Sequence, residues 1–158
     1  MKALRFHKAR DLRLEEVPAP EKPVGQQVVL KISHCGICGT DLHEYVAGPI
    51  ILPVEPHPET GAKIPIILGH EFSAVVTTVG PDVTTVRPGD RVAILPHLMK
   101  AGDYYARRNI GQFSAATGLV GLTWHWGGMG EYAMVPEQNT VKLPDSVSDE
   151  QGACLEPS

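Results

Sequence analysis

A chain of 158 residues with 42% apolar and 20% charged side chains has the make-up of one globular domain with a real core. A net charge of −4 without a basic stripe gives no footing for a nucleic-acid partner, and no run approaches the roughly 20 apolar residues of a membrane span. The opening MKALRFHKAR is not a secretory signal, so the chain is expected in the cytoplasm, where three cysteines point to metal, catalysis or burial rather than to a disulfide scaffold.

Glycine (16) and proline (14) are spread along the chain, a spacing that suits the many short strands of a barrel or sandwich. In chain order the predicted strands are Lys2–Phe6, Leu12–Glu16, Val28–His34, Glu71–Val79, Arg91–Ile94, Gly130–Val135 and Val141–Leu143. Within the third, Val28, Leu30 and Ile32 alternate onto one face. After it, Cys38–Tyr45 reads as the start of a short helix capped by Thr40 or Asp41, and Ala47–Pro65, rich in proline and polar residues, as a surface loop. Arg87-Pro88-Gly89-Asp90 is a turn, with proline presetting φ and glycine free to take a positive φ. Met99–Leu122 is an insert with no clear period. Trp124 and Trp126 are expected to pack, with the lining of a substrate cleft as the alternative; His57 is expected at the surface and His97 within reach of a substrate. Gly127-Gly128-Met129-Gly130 has the wrong spacing for a phosphate-binding turn and leads into a strand. Ser146 or Ser148 can cap a short helix through Asp149, Glu150 and Gln151.

Metal-capable side chains gather in two segments, His34–His43 and Gly69-His70-Glu71. A catalytic zinc needs about three nitrogen, sulfur or oxygen ligands and an open position, and Cys38, His70 and one glutamate make such a set. Each segment alone has a plainer reading. Cys35-x-x-Cys38 is also the spacing of a redox pair or of half a structural zinc site, although Cys154 stands alone and no βαβ context is visible. His70-Glu71 is equally a buried histidine beside a surface carboxylate.

Taken in order, Gly36–His43 (GICGTDLH), Gly69–Glu71 (GHE), Val79–Val92 with its GDRV ending, Gly127–Tyr132 (GGMGEY) and Cys154–Pro157 (CLEP) change that balance. This succession covers nearly the whole chain and resembles the zinc-dependent medium-chain alcohol dehydrogenases, in particular the polyol and butanediol (sorbitol dehydrogenase-like) subgroup. The resemblance implies a mainly β fold, a GroES-like β-barrel with short helices. In the family this barrel packs against a Rossmann domain and holds zinc at the cleft between them. It implies Cys38 and His70 as zinc ligands, Glu71 on the metal or against it, and Glu156 on or near it. Asp41 matches a carboxylate that orients a ligand, and Thr40 and His43 match a proton relay from substrate hydroxyl to solvent. Cys35 has no ligand role in this pattern and reads as a packed thiol. The implied chemistry is oxidation of an alcohol or diol, one catalytic zinc making the hydroxyl more acidic and NAD(P) taking the hydride in a full-length parent.

The chain departs from that family in two places. No Rossmann fingerprint is present, so residues 1–158 are expected to be the catalytic domain alone, cut before the nucleotide-binding domain and inactive as a dehydrogenase by itself. In addition, residues 97–122 keep the flavour of the lobe that carries a four-cysteine structural zinc in many members but hold no cysteine; Ala101, Ala106 and Ser114 stand about where cysteines would be expected. A designer deleting a metal site would choose such replacements, and natural members without this zinc are the other reading. Either way a second zinc is not expected, and the lobe is expected to be mobile. Competing functions are a non-catalytic GroES-like module that self-associates through an uncovered interface, possible as a homo-oligomer, and an opportunistic zinc hydrolase.

Overall fold

The computed structural model describes residues 1–99, 102–108, 110–114 and 118–157. Among them, strands β1 (Lys2–Lys8), β2 (Asp11–Glu16), β3 (Gln27–Cys35), β4 (Ile66–Ile67), β5 (Phe72–Val79), β6 (Arg91–Ile94), β7 (His97–Leu98), β8 (Gly118–Leu119), β9 (Tyr132–Pro136) and β10 (Thr140–Lys142) are joined by helices α1 (Gly39–Ala47) and α2 (Asp149–Ala153). The seven expected strands are present with ends shifted by a residue or two. The three unforeseen ones, β4, β7 and β8, are two-residue pairings too short to carry a period.

The sheets have orders β2-β1-β4, β10-β6-β5-β3-β9 and β7-β8, and every pairing is antiparallel. The five-stranded sheet curls into half a barrel, and among the described residues there is no parallel βαβ sheet of the Rossmann kind. Val28 and Leu30 on β3 meet Phe72, Ala74 and Val76 on β5, Val92 and Ile94 on β6, and Ala133 and Val135 on β9 in the main core. Trp124 and Trp126 pack against this core, as expected, and Trp124 Nε1 donates to Met134 O at 2.8 Å. Burial of such side chains contributes roughly 1.5–3 kcal/mol each before the entropy of ordering the chain is counted. A second core joins Phe6, Ile66, Leu68 and Leu122 to Leu52 and Ala62.

That second cluster revises the reading of the 47–65 connection. Residues 48–65 hold no helix or strand, but Leu52 and Ala62 are buried, so this is a strap packed on β1 rather than a free surface loop. Its start is held by Glu44, whose buried carboxylate accepts the N–H groups of Ile50 (2.9 Å), Ile51 (2.5 Å) and Leu52 (3.4 Å). His57 on the same strap is half-buried, not at the open surface, with Nδ1 accepting the Glu59 N–H at 3.3 Å.

Local chemistry decides the helix ends. Cys38, rather than Thr40 or Asp41, is the N-cap of α1; Asp41 sits at the third helical position and its Oδ2 accepts the Cys38 N–H at 2.9 Å. Ser148 caps α2, with Gln151 closing the reciprocal pair. The Arg87–Asp90 turn forms as expected, Asp90 N donating to Arg87 O at 3.0 Å.

The 97–122 lobe is clamped at its base by the β7–β8 ribbon, with His97 opposite Leu119. Inside it, Asp103 accepts the Tyr105 N–H (2.6 Å) and the Ser114 hydroxyl (2.8 Å). Ala106 and Ser114 are described; Ala101 lies outside the described residues.

Candidate metal centre

The two segments rich in metal-capable side chains meet because of one strand pairing. β3 and β5 are antiparallel neighbours, and the end of β3 lies against the start of β5, with Cys35 opposite Phe72. Cys38, just past β3, is thereby carried to His70 and Glu71, just before β5. The Gly36 N–H donates to Glu71 O at 2.7 Å and ties the cysteine loop to that segment.

One ligand atom each from Cys38, His70 and Glu71 lie within 4.8 Å of one another, the only such cluster of three or more among the described residues. His70 and Glu71 are buried and Cys38 half-buried, so the cluster opens on its thiol side. Gly69 makes this approach possible. Its φ of +97° lies where side-chain-bearing residues rarely sit, and a Cβ there would stand 2.6 Å from Cys35 Sγ and 2.9 Å from Met129 N. Gly128 presses against the other side: its N–H donates to Gly69 O at 2.8 Å, and a Cβ on it would meet Phe72 and Cys35 Sγ. The glycine run that is not a phosphate turn therefore seats the backbone that presents His70.

Asp41 lies behind the histidine. Its Oδ1 faces His70 Nδ1 at 3.8 Å; both atoms are buried and neither is hydrogen-bonded. Buried polar atoms are rarely left so, and a carboxylate facing one ring nitrogen is the arrangement that orients an imidazole binding a cation through the other. Burial pushes the Asp41 carboxyl up, against the N–H of Cys38, the His70 imidazole and the N–H of Gly69. Burial, with the Asp41 and Glu71 carboxylates, also pushes the Cys35 thiol up to about 12, so it stays protonated and packed against the core, donating to Gly36 O at 3.2 Å. A thiol, an imidazole and a carboxylate, with a carboxylate behind the imidazole, fit zinc.

Thr40 and His43 are three residues apart on α1 and so neighbours on its surface. Thr40 is half-buried, its Oγ1 3.6 Å from Cys38 Sγ, and His43 is exposed. Glu156 is not brought to the cluster: it lines a separate cleft of about 290 Å3 with Ile94, Leu95, His97, Val141 and Leu155. His97 belongs to that cleft too. Glu44 was not singled out by sequence reasoning; the signal was its place one turn after Asp41, on the same buried face of α1.

A curled antiparallel half-barrel with a cysteine–histidine–glutamate cluster where two neighbouring strands end is the architecture of a GroES-like domain of the alcohol dehydrogenases. Residues 25–145 match the family described as alcohol dehydrogenase GroES-like domain, and the chain belongs to it. It is 44% identical over 159 residues to (R,R)-butanediol dehydrogenase of Bacillus subtilis, an alignment covering 100% of this chain and 44% of the relative. Sorbitol dehydrogenase of Gallus gallus is 37% identical over 155 residues, 98% of this chain and 42% of that protein. The crystal structure of 2R,3R-butanediol dehydrogenase from Bacillus subtilis superposes with a TM-score of 0.90 at 42% identity, covering 99% of this chain and 44% of that one. The chain thus spans less than half the length of these relatives. Among the described residues, no helix is long and apolar enough to cross a membrane.

Proposed function

We propose that this chain is the zinc-holding catalytic domain of a cytoplasmic dehydrogenase that oxidises a secondary alcohol or a vicinal diol, with NAD(P) carried by a nucleotide-binding domain that residues 1–158 do not contain. One observation carries the reading: ligand atoms of Cys38, His70 and Glu71 lie within 4.8 Å of one another, with Asp41 set behind the histidine. The likeness to butanediol and sorbitol dehydrogenases supports the substrate class.

Cys38, His70 and Glu71 would hold the metal. Glu71 is favoured over Glu156 because its carboxylate is already in the cluster. Zinc, when bound, supplies Lewis acidity that makes an alcohol hydroxyl easier to deprotonate. Asp41 Oδ1, facing His70 Nδ1 at 3.8 Å, favours the tautomer protonated on Nδ1 and so leaves the Nε2 lone pair for the metal. Thr40 Oγ1, beside Cys38, accepts the hydrogen bond of the alcohol hydroxyl, and its own proton passes one turn along α1 to His43, which is exposed and returns it to solvent. The hydride needs an acceptor, so the isolated domain binds zinc but does not turn over alcohol.

Elemental analysis of the purified chain tests the reading. About one zinc per chain is expected, lost in Cys38→Ala and His70→Ala, reduced in Glu71→Gln and retained in Glu156→Gln. A well-folded chain without zinc, or one whose zinc survives both Cys38→Ala and His70→Ala, would overturn it, and two zincs would overturn the view that the cysteine-free lobe holds none.

A further inference from the structure

Away from the metal centre, a pocket of about 280 Å3 opens between the β1–β2 hairpin, β4 and the segment that leads into the glycine run. Ile66, Ile67 and Trp126 give it apolar surface, and Arg5, Lys63 and His125 also line it; among the described residues no acidic side chain does. The chain as a whole carries a net charge of −4, so cations are collected here against the overall balance.

The three basic groups stand in different states. Arg5 is fixed, with Nη1 donating to Glu15 Oε2 at 3.1 Å and Nη2 to Pro65 O at 2.8 Å, and Glu15 offsets part of its charge from outside the pocket lining. Lys63 is exposed and makes no ion pair among the described residues, so its charge is the uncompensated one. His125 Nε2 lies 3.2 Å from Thr60 O; a carbonyl only accepts, so the proton sits on Nε2.

We propose that this pocket binds a small aromatic carboxylate, the carboxylate on Lys63 beside Arg5 and the ring on the surface made by Trp126 and Ile67. An exposed ammonium–carboxylate pair is weak alone. The neighbouring indole and isoleucines add the burial of a flat apolar ring, which a bare inorganic anion cannot use. The expected affinity is modest, with Kd near the millimolar range. The metal ligands are not part of this pocket, so the proposal stands or falls independently of the function proposed above.

The chain has two tryptophans, so its indole N–H resonances are two signals, and only Trp126 lines the pocket. Titration with benzoate is expected to shift the Trp126 signal saturably and to leave that of Trp124, whose N–H is donated to Met134 O, in place. Lys63→Gln, which removes the charge, is expected to weaken binding about fivefold or more, and Lys63→Arg, which keeps it, to hold binding within about twofold. Benzamide, which lacks the charge, and inorganic phosphate, which lacks the ring, are expected to bind at least about fivefold more weakly than benzoate. No saturable shift up to about 20 mM benzoate, equal binding by Lys63→Gln, or equal binding by benzamide or phosphate would overturn the proposal.

Discussion

Asp41 is the residue on which the metal centre turns. It caps the Cys38 N–H and faces His70 Nδ1, so one side chain sets both the helix that carries the cysteine and the orientation of the imidazole. Asp41→Asn keeps an acceptor for Cys38 but offers His70 an amide, which no longer selects the Nδ1-protonated ring. Zinc affinity should fall about 10–100-fold while the fold persists, as competition with a chromogenic chelator would measure; unchanged affinity would remove Asp41 from the site. Gly69 works through its backbone. Gly69→Ala imposes a Cβ at φ +97°, 2.6 Å from Cys35 Sγ, and should cost roughly 1–3 kcal/mol in urea unfolding. The residue types of the site were legible in the sequence, because thiol, imidazole and carboxylate declare their chemistry. Gly69 and Gly128 were visible only as glycines, since the atoms a Cβ would strike come from Cys35, Phe72 and Met129, distant in sequence from one or both.

At the scale of the element, α1 is held from below at both ends by carboxylates on one buried face, Asp41 and Glu44. Glu44 holds the N–H groups of Ile50, Ile51 and Leu52, which no strand or helix otherwise satisfies. Glu44→Ala would leave them unpaired and should destabilise the domain by about 1–3 kcal/mol, while Glu44→Gln, whose amide oxygen still accepts, should recover part of the loss. Equal denaturation midpoints for wild type and Glu44→Ala would show that water replaces the carboxylate. The sequence placed this helix to within two residues at its C-terminal end and one at its start. It assigned the cap to Thr40 or Asp41 because such side chains favour that position, whereas the chain leaves β3 so that Cys38 takes it. For the strap at 47–65 composition pointed to solvent. Burial of Leu52 and Ala62 was decided by β1, against which they pack.

Across the whole molecule, Glu137 ties the turn after β5 to the β9–β10 connection. Burial alone would raise its pKa, but the N–H and hydroxyl groups of Thr85 and Thr84 outweigh burial and hold it below the ordinary glutamate value of 4.5. A folded-state pKa below the unfolded one stabilises the protein fully above the unfolded value, and the contribution is lost as pH falls through the folded value. Glu137→Gln should therefore be less stable than wild type near pH 7, with the gap narrowing as the pH is lowered below the unfolded glutamate value. A gap in chemical denaturation that stays constant as the pH is lowered would show that the carboxylate charge is not what stabilises the tie.

Legible in the residues alone were the class of the chain, the rough positions of seven strands, the Arg87–Asp90 turn, a serine cap for α2 at 146 or 148, and Cys38 and His70 with Glu71 or Glu156 as metal-capable side chains. These are written locally, in near-neighbour sterics, in alternation along a strand and in side-chain chemistry that does not depend on context. The way the sheets close settles that Cys38 meets His70 and Glu71 while Glu156 goes to another cleft, that Glu44 is buried, and that Arg5, Lys63 and His125 share a pocket with Trp126. The reason is the register of β3 on β5: a pairing between distant segments is set by how whole sheets close on their cores, and no short stretch of residues carries that information.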